Sequence, residues 1–380
     1  MKLAREVEVT RISSAAALSS MREEWSELLQ SSESDGLFLT WEWVQSWWRC
    51  LGGGSRLFLL AVRAGPQLVA LAPFALRGAS LLRTPPLRCL TLLGSGTVGS
   101  DHLDLIVRRG WEAEALGALG GALADEGVLL ALTRVREGSS AAAVATLLAQ
   151  RGWIREAARG ETCPIALRPP GGFPEYLAGL GAQHRATFRR KLGKLQRRFA
   201  VRFELARTEE ERRRALAILI DLHQRRWKSR GQSEAFCSAG LRAFHQELGA
   251  LALERGWLRL FVLRLDGRPV AALYGFRYGR IFSFYQSGFD PDFAKESVGL
   301  VSMGLALESA FDEGAAAFDL LHGDEPYKFH WARDARQLSS IDLYPPGARG
   351  VVLQRIAALA KSIRSAGREL LAPGPRESPT

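Results

Sequence analysis

Cysteine is scarce: four residues in a chain of 380, at positions 50, 89, 163 and 237, with no CxxC pair among them. That spacing fits neither a disulfide framework nor a zinc site, and it suits a reducing compartment. Histidine is sparse too, six in all, and no HExxH or HxxxH pair occurs, so no metal is expected. Long apolar runs are missing: stretches such as Leu68 to Leu76 fall well short of the ~20 residues that cross a bilayer. The opening MKLAREVEVT alternates charged with apolar residues and lacks the apolar h-region of a signal peptide. A cytoplasmic protein is therefore expected. GxSxG, the P-loop and a GxGxxG leading into a helix are absent, and so is any recognisable nucleic-acid-binding module.

What is present is an ordinary globular composition, 47% hydrophobic and 24% charged, long enough for about two domains. The chain carries 51 Lys and Arg against 40 Asp and Glu, a net charge of +11. Much of the excess is local. Eight basic residues and no acid lie between Arg185 and Arg202, and five more lie between Arg349 and Arg368 before any acid appears. Such runs suit a solvated helix face, a phosphate-bearing ligand (nucleotide, coenzyme A, tRNA) or an anionic membrane surface at the inner face. Composition does not choose among these.

The two halves echo each other. Arg56 to Leu71 and Arg259 to Ala272 each read as an apolar strand, a turn at Gly65 or Asp266-Gly267, and a second apolar strand, which predicts two equivalent hairpins. Further on, Leu123-Ala-Asp-Glu-Gly127 and Ala310-Phe-Asp-Glu-Gly314 each read as a helix end closed by glycine and followed by a buried strand. Tryptophan-bearing helical stretches, Trp41 to Leu51 and Leu216 to Trp227, precede the hairpins. A tandem duplication follows, α/β in order, with its boundary near the Pro- and Gly-rich residues 168–174 and a frayed tail from Ala372. The cluster Trp41, Trp43, Trp47 and Trp48 is expected to serve helix packing.

From Gln183 to Trp331 the sequence resembles the CelD/BcsL-type acetyltransferases of the GNAT superfamily, the BioF2-like domain. The segments that carry the resemblance are Arg185-xxx-Arg189-Arg190-xxx-Lys194-Leu195, Leu265-Asp-Gly-Arg-Pro-Val-Ala-Ala, Tyr285-Gln-Ser-Gly-Phe-Asp-Pro, Ser297-Val-Gly-Leu and Phe318-Asp-Leu-Leu-His-Gly-Asp-Glu-Pro-Tyr-Lys-Phe-His-Trp331. Its most specific piece is Gly323 to Lys328, and Phe38 to Trp43 and Ala72-Pro-Phe extend it into the first half. The resemblance implies two tandem GNAT-like domains, each a mixed, mostly antiparallel sheet flanked by helices, an arrangement shared with Fem-type aminoacyltransferases. The expected division is 1–168 for a degenerate first domain, 169–345 for the acetyltransferase domain, and 346–380 for a C-terminal helix and tail.

Three groups of residues are candidates for the site. Ser297, Val298, Gly299 and Leu300, with Lys295 beside them, open a helix where such folds present backbone N–H groups to the coenzyme A pyrophosphate; Ser297 alone also suits a plain N-cap. Asp319, His322, Asp324, Tyr327 and Lys328 cluster where a buried strand ends, with Tyr285 on a neighbouring strand. Acyl transfer needs a base, an acid and donors for an oxyanion, so Asp319, His322 or Asp324 stands as base, Tyr285 or Tyr327 as acid, and Lys328 as the holder of a phosphate or of developing charge. Asp319 and His322 equally suit structural roles. Arg185 and Arg189, one helical turn apart, form a candidate guanidinium pair for an anionic substrate, or part of a solvated face. Chemistry is expected in the second half alone, with Lys328 exposed. The implied function is acyl transfer from acetyl- or another acyl-CoA to an amine or hydroxyl of a sugar, polysaccharide precursor or lipid. The alternatives are a Fem-like transferase drawing on charged tRNA and a non-catalytic module that binds anionic ligands.

Overall fold

The computed structural model describes residues 5–79, 87–228 and 235–371; the tail from Ala372 lies outside them. The first half runs β1 (Glu8–Ile12), α1 (Ala15–Ser20), α2 (Arg22–Gln30), α3 (Trp41–Leu51), β2 (Ser55–Ala64), β3 (Gln67–Ala79), β4 (Leu87–Leu92), β5 (Ile106–Val107), α4 (Glu112–Glu126), β6 (Leu129–Arg136), α5 (Ser140–Gln150) and β7 (Ile154–Leu167). The second runs α6 (Gly172–Gly179), α7 (Ala182–Arg198), β8 (Val201–Leu205), α8 (Glu209–Trp227), α9 (Ala239–Glu254), β9 (Leu258–Leu265), β10 (Arg268–Tyr278), β11 (Ile281–Phe289), α10 (Val298–Asp312), β12 (Ala317–Asp319), α11 (Pro326–Trp331), β13 (Asp334–Tyr344) and α12 (Ala348–Leu371).

The expected duplication is visible element by element. Both predicted hairpins form, β2 with β3 and β9 with β10, each antiparallel. The second turns on Asp266 and Gly267, φ 49° and 83°, the two positive values that a tight type I′ hairpin demands. After β4 and the short β5 in the first half, and after β11 in the second, comes a helix that stops at the expected Gly127 or Gly314, both at positive φ. The strand after that helix returns parallel to its predecessor, β6 beside β4 and β12 beside β11.

The halves do not close separate sheets. Strand order is β1-β2-β3-β4-β6-β13-β7-β12-β11-β10-β9-β8, with β5 on β3. Strand β13, which ends the second half, pairs with β6 of the first, while β7, which ends the first half, pairs with β12 of the second. The two exchanged strands pair with each other between Asp334↔Ile165 and Tyr344↔Ile154. The core crosses the junction as well. Trp43 on α3 is fully buried and meets Phe244, Phe276 and Tyr285 of the second half edge-on, with centroids 5.3, 5.9 and 5.6 Å away. Trp41 and Trp47 are buried beside it, so these tryptophans do serve packing. Such rings dominate the energetics of a core.

Candidate active site

Strands β11 and β12 pair over only three residues, Ile281, Phe282 and Ser283 against Ala317, Phe318 and Asp319. Beyond that point β11 continues to Phe289, while the chain after Asp319 swings toward β7. There Leu320 N–H donates to the Pro164 carbonyl at 2.9 Å and Gly323 N–H to the Thr162 carbonyl at 3.1 Å. The parting strands leave a wedge-shaped cavity of about 590 Å³ whose walls include Tyr285, His322, Tyr327 and Lys328. A second, more apolar cavity of about 320 Å³ runs along β10 and the start of α10. Both are lined by Arg226, Ser287 and Tyr327. Polar groups gathered where parallel strands separate form the usual setting of a ligand site in α/β sheets.

Two Asp–His pairs join the halves at this wedge. Asp101, fully buried in the first half, accepts the His322 backbone N–H at 2.8 Å and lies 2.8 Å from His322 Nδ1. Its neighbour His102 reaches back, Nε2 at 3.0 Å from Asp319 Oδ2. The backbone is bent to permit this, with His102, Arg134 and Leu321 at φ 53°, 56° and 56°, a conformation that costs a side-chain-bearing residue stability. Burial alone would raise the Asp101 carboxyl, but the His322 hydrogen bond and charge, with Arg134 at 3.6 Å, hold it below the usual carboxylate range. Of the two histidines only His322 lines the wedge. The first half, expected to be chemically silent, thus supplies Asp101 and the wall formed by Thr97, Val98 and Gly99. Nothing in the local sequence around His322 signals an aspartate 221 residues away.

The other candidates sort themselves by contact. Asp319 is a buried structural acceptor: it takes His102 and the Leu321 N–H at 2.8 Å and does not line the wedge, so it is not placed to act as a base. Asp324 is exposed and lines neither cavity. Tyr285 lines the wedge, but its hydroxyl donates to the Val98 carbonyl. Tyr327 faces both cavities, and burial pushes its phenol well up, so it stays protonated.

Lys328 is not the exposed cation that the sequence suggested. It is 4% exposed, and Nζ meets the His322 carbonyl at 2.5 Å, the Leu321 carbonyl at 3.4 Å and Glu325 Oε2 at 3.0 Å. An ammonium has three N–H bonds, and each has a partner. Gly323 makes room for this clamp: its φ is 128°, and a Cβ there would sit 2.6 Å from Nζ. Lys328 therefore fixes the turn that carries His322.

At the start of α10, Ser297 adopts a left-handed conformation (φ 58°) and its side chain caps nothing, contrary to an N-cap role. Val298 is buried, Lys295 is exposed, and Gly299 and Leu300 line the apolar cavity. Two buried polar atoms on that cavity's lining, Ser302 Oγ and His184 Nε2, have no hydrogen-bond partner. Unpaired buried polar atoms are costly, so hydrogen-bonding groups of a ligand suit this cavity. Lys191 Nζ donates to the Lys295 carbonyl at 2.7 Å. His184 and Arg226, which also line this cavity, carry no local motif in the sequence. Arg185 is not paired with Arg189 in a binding face: its guanidinium caps the Ala178 and Leu180 carbonyls at 2.6 and 3.0 Å, while Arg189 is exposed.

Asp101, Glu161 and His322 also bring ligand-type atoms within 4.8 Å of one another. Arg134 Nε lies 2.7 Å from Glu161 and 3.6 Å from Asp101, so a fixed guanidinium already balances these carboxylates and the set does not fit a cation. Residues 182–329 match the family model of the acetyltransferase (GNAT) domain. Among solved structures the chain is similar to FemX, with 11% identity and a TM-score of 0.59 over 88% of this chain and 96% of that one. It is also similar to L-PGS from Bacillus licheniformis, with 14% identity and a TM-score of 0.53 over 88% and 94%. At such identities the likeness is one of fold. No curated protein matches the chain in sequence.

Proposed function

We propose that the chain transfers an acyl group from an acyl-CoA thioester to an amine or hydroxyl of a sugar-, polysaccharide-precursor- or lipid-type acceptor, with the reaction in the wedge between β11 and β12. The observation that carries this reading is the Asp101–His322 pair at the wedge. His322 Nδ1–H donates to Asp101, which leaves Nε2 to take the proton of the attacking nucleophile. Asp101, already held as a carboxylate, stabilises the imidazolium that results. The new C–N or C–O bond forms as the C–S bond breaks, and Tyr327, protonated and facing both cavities, gives its proton to the departing thiolate. The apolar cavity with its unpaired Ser302 and His184 atoms supports binding of the donor's arm beside α10.

The test is release of thiol from a panel of acyl-CoAs with amine and hydroxyl acceptors, comparing wild type with His322→Gln. A base of this kind is worth about 10²–10⁴-fold. A folded His322→Gln protein with unchanged turnover would sink the reading. A second reading, transfer from charged tRNA, is favoured by one feature: Arg189, Arg190, Lys194 and Arg197 stand exposed along α7. Activity that requires aminoacyl-tRNA and falls steeply with salt would select it.

A further inference from the structure

Among the described residues, six large hydrophobic side chains are exposed, and four of them lie within nine residues of α12: Val351, Val352, Ile356 and Leu359, the last 62% open. At about 100° per residue, Val352, Ile356 and Leu359 form one narrow stripe, and in the sequence Ile363 and Leu370 continue the same period. The helix packs by another side. Leu353, Gln354 and Ala357 are half-buried, and Gln354 Nε2 donates to Glu156 at 2.6 Å. The apolar stripe is therefore not what holds α12 to the body.

Charge identifies the occupant. Residues 348–371 contain Arg349, Arg355, Lys361, Arg364 and Arg368 against one acid, Glu369. Arg349 and Arg355 are exposed, and at the helical repeat they flank the stripe on its two sides, each about 50–70° from its centre. Pairing two copies of this helix would set arginine against arginine with a single acid to offset it. An RNA would satisfy the cations and leave the valine, isoleucine and leucine in water. A surface that is anionic at its face and apolar just beneath satisfies both, and a helix with this division of residues lies in such an interface. We infer that α12 docks the protein on a membrane containing anionic lipid, with the Val352–Ile356–Leu359 stripe entering the acyl boundary. The proposal is independent of the acyl-transfer reading, because β13 carries the chain from Asp334, beside Ile165 near the wedge, to Tyr344, beside Ile154 at the far end.

The experiment uses the full chain and vesicles of phosphatidylcholine alone or mixed three to one with phosphatidylglycerol. Co-sedimentation should be at least about tenfold stronger on the mixed vesicles and should weaken as salt is raised. The double variant Val352→Asp/Leu359→Asp should lose binding about tenfold or more while its melting temperature stays unchanged, since both side chains already face water. Binding that survives the double variant overturns the proposal. So does a wild-type dimer in solution that the double variant dissociates, since the stripe would then be a contact between copies.

Discussion

Replacing Asp101 by asparagine changes one atom behind His322 while keeping the shape of the wedge. The carboxylate now accepts the His322 N–H at 2.8 Å and holds Nδ1 at 2.8 Å. An amide has one acceptor oxygen, and its NH₂ must face one of these partners or Arg134. If the oxygen keeps the backbone N–H, the NH₂ donates to Nδ1 and moves the ring proton to Nε2, where a base is needed. Turnover per folded molecule should then fall about 10²–10⁴-fold, the worth of a positioned base. Stability should fall less sharply, by about 1.5–3 kcal/mol for the lost charge-assisted hydrogen bonds, because Arg134 retains Glu161 at 2.7 Å. The structure provides its own control. His102→Gln disturbs the twin pair, with a similar contact to Asp319 but no face on the wedge, and should cost stability while leaving the rate nearly intact. Thiol release and melting temperature are measured on the same preparations. Equal rate losses in both variants, or a wild-type rate in Asp101→Asn, would refute the assignment. The linkage has a definite sign: the Asp101 carboxyl is depressed in the fold, so its stabilisation is present above the unfolded value of about 3.9 and is lost as pH falls through the lower folded one. The stability gap between wild type and Asp101→Asn should therefore narrow only below about pH 4.

Lys328→Ala should lose about 2–4 kcal/mol, because two turn carbonyls and Glu325 lose a buried partner; a variant that melts with wild type would show the clamp to be idle. Gly323→Ala should destabilise by about 1–3 kcal/mol and lower turnover together, since its φ of 128° is strained for any side chain and its Cβ meets Glu325 and Lys328; wild-type melting and rate would count against the turn's role. Burial lowers His245 from the ordinary 6.5 to about 3 and lowers His223 and His184 too. For bases depressed in the fold the unfolded chain binds more protons, so stability should be full above about pH 6.5 and decline as pH falls toward 3. Urea titrations at pH 7 and 5 should show this, with a shallower decline in His245→Phe; equal slopes for variant and wild type would remove His245 as a cause.

The elements that the sequence revealed are those whose signal is local. Strand, Asp266-Gly267, strand is read within one window, and so is a helix closed by Gly127 or Gly314. The exchange of β7 and β13 leaves no such mark, since alternation within Asp334–Tyr344 is the same whichever strand lies alongside. The site divides the same way. His322, Tyr327 and Lys328 stand out because polar groups crowd the end of an apolar strand, yet their roles turn on partners distant in the chain. Asp101 and His102 follow the run Gly94-Ser-Gly-Thr-Val-Gly-Ser100, a concentration of glycine before an Asp-His dipeptide. That is the available signal, although this glycine run leads into no helix. Burial of Lys328 was hidden by its neighbours Asp324 and Glu325, whose charge makes the turn look solvated throughout.

The exchange of end strands explains why a half with little chemistry of its own remains part of the site. Without β7, β12 would offer a bare edge, and Pro164 and Thr162 would no longer receive the N–H groups of Leu320 and Gly323. Those two bonds draw the chain away from β11 and open the wedge. The loop that follows β4 then enters from the other side, where Val98 takes the Tyr285 hydroxyl and Asp101 takes His322. Each half supplies one aspartate and one histidine, and each aspartate meets the other half's histidine. Two buried carboxylates would cost the fold several kcal/mol if left unpaired. Fusion of the halves in one chain holds both pairs in register, and the asymmetry between them, one histidine lining the cavity and one off it, is what turns a duplicated structural contact into a single candidate base.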